Sequence, residues 1–232
     1  MTGARIAARG RCVAGVAAVL VAVSVVACSG SGGSGASASP SGGASASATA
    51  ASSVSGTAPA SASGSVDPAQ VTAESLSDAD LGYTVTSVPE GMDAVQAEVV
   101  QAYVAYDQFT WRLWLTPAGT GTGMEGAEQV MTETVRAHIE GQYTALEPGR
   151  YLEGPVRTSI EEVFVYDEAV PATADVIVCD DRGDMRDYDG SGQDVTSPDI
   201  QGSFEYALSL ERTADGWRVS GERNVSRNEC SA

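Results

Sequence analysis

The 232-residue chain contains no lysine and a single histidine, His138. Its thirteen basic residues are all arginine, and they face 31 aspartates and glutamates. So few cations exclude a nucleic-acid partner, because that affinity rests on cationic contacts to phosphate. They equally exclude adsorption to anionic lipid through surface charge. One histidine and four cysteines leave no paired zinc-ligand spacing, and neither a nucleophile elbow nor a phosphate-binding loop is present. No cofactor is implied. Residues 29–66 carry no charge at all and consist almost entirely of Ser, Gly, Ala, Thr and Pro. Such a composition cannot bury enough apolar surface to offset its ordering entropy, which excludes a core there. The longest apolar run near the N-terminus, residues 12–27, falls short of the roughly 20 residues that a membrane-spanning helix needs.

What is present at that end has a definite layout. Arg5, Arg9 and Arg11 precede the apolar run, as in a secretory signal. The run closes on Val25-Val26-Ala27-Cys28, which resembles the bacterial lipobox. The resemblance implies cleavage before Cys28 and a diacylglyceryl anchor on it, two acyl chains being needed for stable attachment. Residues 1–27 are therefore expected to be a lipoprotein signal peptide. Residues 28–66 would be the lipidated cysteine and a disordered tether, with a typical reach of roughly 35 Å. Residues 67–232 would form one domain. Without the three signal arginines, ten Arg face 31 acids, a formal charge of −21. Cys12 leaves with the signal and Cys28 takes the lipid, so Cys179 and Cys230 are expected to pair in an oxidising compartment.

Within the domain the apolar period changes twice. "YTVTSV" (83–88) reads as a short strand ended by Pro89 and Gly91. Val95, Val99, Tyr103, Tyr106, Phe109/Thr110 and Leu113 recur at three and four, which predicts a helix over 92–115. Trp111 and Trp114 widen its apolar arc, suiting either core packing or a pocket wall. A second helix is predicted over 125–145, carrying Val130, Val135, His138 and Ile139. Strands are predicted over 150–166, 173–180, 202–212 and 216–225, the last two joined by the turn at Asp215-Gly216. Helices first and strands after predict an α+β domain, its N-terminal helices packed on a curved antiparallel sheet.

The helix segment "AYVAYDQFTWRLW", the strand "ADVIVCDD" and the closing "DGWRVSGERNVSRNEC" are similar to the small extracytoplasmic lipoproteins of high-GC Gram-positive bacteria. Those resemble the nuclear-transport-factor-2-like superfamily, which implies a cone-shaped fold with an internal pocket. The Lys-free, Arg-rich usage is associated with the same bacteria.

Three functional readings remain open. The first is a non-catalytic binding or scaffolding protein on the outer face of the cell membrane. It would take a small apolar or glycan ligand, or a surface protein. The second is a small cone-fold enzyme of isomerase or cyclase type, using His138 or Asp107 as acid or base. A half-buried or surface position is the expectation for His138, to which no partner can be assigned, and a helix-surface position for Asp107. The third concerns "CDDRGDMRDYDGSGQD" (179–194), where Asp187, Asp189 and Asp194 are candidate ligands for weakly bound calcium. An EF-hand register on Gly190 would put Met185 and Thr196 where carboxylates belong. A solvated hairpin tip is therefore the expectation for this loop.

Overall fold

Alternation of apolar and polar residues, with helices ahead of most of it, builds the domain in the computed structural model, which describes residues 66–232. The expected signal segment, Cys28 and the tether up to residue 65 lie outside the described residues. The helices are α1 (Ala73–Leu76), α2 (Ala94–Leu115), α3 (Ala127–Val130) and α4 (Glu133–Thr144). The strands are β1 (Tyr83–Ser87), β2 (Tyr151–Glu153), β3 (Val156–Tyr166), β4 (Thr173–Asp181), β5 (Arg186–Tyr188), β6 (Ser203–Thr213) and β7 (Gly216–Arg227). Among the described residues no helix is long and apolar enough to cross a membrane.

The fold is α+β, with a curved five-stranded sheet in the order β1-β3-β4-β6-β7. The sheet is mixed, which corrects the expected all-antiparallel arrangement: β1 runs parallel to β3. The reason is connectivity. β1 precedes α2, and a helical crossover returns the chain to the starting side of the sheet, so the next strand beside β1 must run the same way. The remaining ladders are antiparallel, and each of the β1–β3, β3–β4 and β6–β7 pairs carries register shifts that bend the strands.

α2 supplies the central rod. Its N-terminus is a capping box in which Asp93 accepts from the amides of Val95 and Gln96, while the Gln96 side chain accepts from the Asp93 amide. Val99, Val100, Tyr103 and Tyr106 are buried on it against the inward rows of the sheet, among them Val156 and Ile160 of β3, Val176 and Val178 of β4, and Leu208 and Leu210 of β6.

The second predicted helix is instead two. Met131, 1 % exposed, leaves the helical path to form a parallel bridge with Val219, and the Thr132 amide donates to the Val219 carbonyl. A sheet contact outweighs helical propensity there. The predicted strand 150–166 likewise divides at Gly154-Pro155, where proline lacks the ladder donor. Its first piece, β2, pairs with β5 in a separate ribbon that anchors the loop after β4. A disulfide joins Cys179 on β4 to Cys230 in the C-terminal tail.

Candidate functional site

Strand alternation determines which polar groups reach the interior. On β4, Ala174, Val176, Val178 and Asp180 form one buried row, and Arg182 continues it past the strand end. On β3, Val156, Thr158 and Ile160 form the matching row, with Thr158 opposite Asp180. On β7, the row Trp217–Val219 would continue to Gly221 in a regular strand. The register shift opposite Ser209 and Leu210 inserts one residue, so Glu222 instead stands opposite the inward Leu208. The bulge thereby turns the exposed Glu222 carboxylate to the cavity side of the sheet.

These rows and α2 enclose a cavity of about 320 Å³, the liquid volume of roughly ten waters. Trp111, Trp114 and Tyr106 of α2 form an aromatic wall, and Ile139 and Gln142 of α4 stand at one side. Asp107, Asp180, Arg182 and Glu222 are its ionisable groups besides tyrosines.

Asp107 lies on the buried side of α2, one turn after Tyr103, and is 8 % exposed. The expectation of a solvated helix-surface carboxylate is thus overturned: the sheet's inward rows pack over that side of the helix. Its Oδ2 accepts from Tyr83 Oη at 2.8 Å and from Tyr103 Oη at 3.1 Å. Tyr103 Oη also lies 3.2 Å from Thr158 Oγ1. With Oδ2 committed twice, Oδ1 is the oxygen left for the cavity. Burial, and then the Asp180 carboxylate, push the Asp107 carboxyl well above the usual range, against the opposing pull of the Tyr83 bond and the Arg182 charge. Tyr83 and Tyr103 are driven upward too, first by burial and then by Asp107. The cluster therefore holds its protons.

Beside it, Arg182 Nη2 donates to Asp180 Oδ2 at 2.8 Å. The guanidinium carbon sits 4.8 Å from the Trp111 ring centre, 5.0 Å from that of Phe204 and 5.1 Å from that of Tyr206. Three aromatic faces thus stabilise one cation. The pairing is incomplete, however: Asp180 Oδ1 and Arg182 Nε are both buried without a hydrogen-bond partner. Buried polar atoms are seldom left so. At the rim, Tyr106 Oη donates to Glu222 Oε2 at 2.8 Å, and burial followed by the Glu222 charge raises the Tyr106 phenol.

His138 is exposed on α4, with Nε2 3.0 Å from Gln142 Nε2. It lines a neighbouring cavity of about 260 Å³ rather than the one containing Asp107, although Tyr106, Ile139, Gln142 and Glu222 border both. The structure does not bring the two sequence-predicted acid–base residues together.

The acidic loop is built differently. Asp187, 5 % exposed, receives both Nε and Nη2 of Arg150. Asp189 Oδ1 caps a turn, accepting from the Ser191 amide and hydroxyl and from the Gln193 amide. Asp194 Oδ1 accepts from the Thr196 amide and hydroxyl. The bond from the Ser191 hydroxyl chiefly holds Asp189 below the usual carboxylate range, and that from Thr196 does the same for Asp194. Among the described residues no group of three or more His, Cys, Asp or Glu is arranged to hold a metal ion. The loop is more than a solvated tip, since Met185 and Asp187 are buried beneath it.

Sequence reasoning missed Tyr83, Asp180, Arg182 and Glu222. The alternation Ala174-Val176-Val178-Asp180-Arg182 was a readable signal for two of them. Comparison with protein-family models, curated proteins and solved structures finds no match.

Proposed function

We propose that this domain is the working end of a lipid-anchored extracytoplasmic protein that binds a small organic molecule in the cavity between α2, α4 and the sheet. The observation that carries the reading is the cavity's construction. Aromatic side chains line the cavity together with Asp180 and Arg182, whose Oδ1 and Nε are buried without partners, and with Asp107, one of whose oxygens makes no hydrogen bond. Ligand sites combine apolar walls with a few convergent polar groups in this way. The curved sheet wrapped on α2 is also compatible with a cone of the nuclear-transport-factor-2-like kind. The anchor at Cys28 and the tether of residues 29–66 would hold the domain clear of the membrane.

The test is a thermal-shift screen of soluble domain 67–232 against neutral, cationic and anionic metabolites, glycans and cell-wall fragments, with a Gln142→Trp control. Gln142 is exposed at the cavity's side, so tryptophan there obstructs entry without touching the core. A ligand that raises Tm in the native domain and not in the control supports the reading. A complete screen without such a ligand contradicts it. For the anchor, Cys28→Ala is expected to release the protein from the membrane fraction.

One observation favours a second reading, acid–base catalysis. Asp107 is a buried carboxyl with raised proton affinity, oriented by two phenols, as a general acid requires. An isomerase- or cyclase-like enzyme would lose turnover in Asp107→Asn while still binding substrate. A binding protein would show no turnover to lose.

A further inference from the structure

We infer that the cavity selects a small organic cation, a protonated or quaternary amine, over neutral and anionic molecules of the same shape. The inference rests on the ligand-binding reading above and specifies its charge class.

Three carboxyl groups, Asp107, Asp180 and Glu222, line the cavity with one guanidinium. Arg182 does not cancel them all. It is bonded to Asp180 Oδ2 and enclosed by Trp111, Phe204 and Tyr206, so its charge is already engaged. Asp180 is 2 % exposed, and its second oxygen has no donor. Asp107 holds its proton in the free protein and becomes a second acceptor on α2 once a bound cation displaces that proton. An ammonium group supplies the N–H donors and positive charge that both carboxylates then require in a poorly solvated place. Trp111, Trp114 and Tyr106 line the same cavity, and aromatic rings attract cations as the Trp111 ring attracts Arg182. Glu222 stands at the exposed rim, where the acidic surface draws cations toward the entrance.

Proton linkage follows. The charged or titratable groups around Asp107 are Tyr83 on β1, Tyr103 and Tyr106 on α2, Asp180 and Arg182 at the end of β4, and Glu222 on β7. A bound cation favours ionised Asp107, so binding tightens as pH rises and releases a proton.

The experiment uses benzylammonium, benzyl alcohol and benzoate, which share one ring and span charges of +1, 0 and −1. Quenching of tryptophan fluorescence and calorimetry read their affinity for the native domain, Glu222→Gln and Asp107→Asn. Benzylammonium is expected to bind at least about tenfold more tightly than benzyl alcohol, with benzoate weakest. Each variant should narrow that preference, and added salt should weaken the cation alone. Glu222 is exposed, so its variant remains informative if Asp107→Asn folds poorly. Benzyl alcohol binding as tightly as benzylammonium overturns the charge selection and leaves the binding reading standing. Benzoate binding best, or none of the three binding, also overturns it, and the wider screen then decides the binding reading separately.

Discussion

Two groups of aspartates in this domain have opposite fates. Asp187, Asp189 and Asp194 crowd one loop and attract attention as a possible ion site, yet each is committed to local architecture. One is clamped by Arg150, and two close turns through neighbouring amides and hydroxyls. Asp107 and Asp180 are 73 positions apart in sequence, one on a helix and one at the end of a strand. They meet at a cavity, each with one oxygen outside any hydrogen bond among the described residues. Local density of a residue type therefore reports turn chemistry here. Asp107 stands alone in an apolar frame, whereas Asp180 opens the acidic run and is set apart by its place in the inward row of β4.

Substitutions can break that contrast, and the largest effect is expected at the cavity floor. Asp180→Ala leaves Arg182 without its carboxylate in a largely buried place and should cost roughly 3–5 kcal/mol in chemical denaturation. A loss below about 1 kcal/mol would mean that the pair is effectively solvated. Cys179→Ser with Cys230→Ser, which opens a loop between residues 51 apart, should cost about 3–4 kcal/mol. Intact mass under non-reducing conditions checks that the bond was present.

Asp107→Asn sharpens the contrast through pH. The folded state binds the Asp107 proton more tightly than the unfolded chain does. The native protein therefore loses stability as pH rises from the ordinary carboxylate value of about 3.9 toward the raised folded value. The slope in that window is about 1.4 kcal/mol per pH unit, and the asparagine variant should lack it. Urea denaturation of both proteins across that range reads the difference; parallel curves would remove Asp107 from the account. The smallest effect is expected in the loop. Asp189→Ala should cost no more than about 1 kcal/mol at any pH above 5, because water can replace its three exposed turn bonds. Calcium at several millimolar should leave the Tm of the native domain unchanged.

Much of the frame was legible because it rests on local physics. The period of α2 and the Asp215-Gly216 turn follow from neighbouring residues, and the Cys179–Cys230 pair from a cysteine count. What escaped depends on distant partners. The parallel pairing of β1 is set by the α2 crossover, and five residues cannot announce their neighbour. The break at Met131 exists because Val219, far along the chain, competes for it. Glu222 faces inward only because β7 gains a residue near Ser220, and alternation alone would have sent it outward. Asp107 was misjudged for a related reason. Its helix position borders the apolar stripe, and only Tyr83 and Asp180 from the sheet reveal which side it occupies.

The most direct measurement is a carbon-13 NMR titration of the aspartate carboxyls in the native domain, with Asp107→Asn for assignment. Asp107 should remain protonated well above the ordinary value of about 3.9, while Asp189 in the same spectra titrates below it. Asp107 titrating at or below that value would contradict the proton-holding floor on which the site is founded.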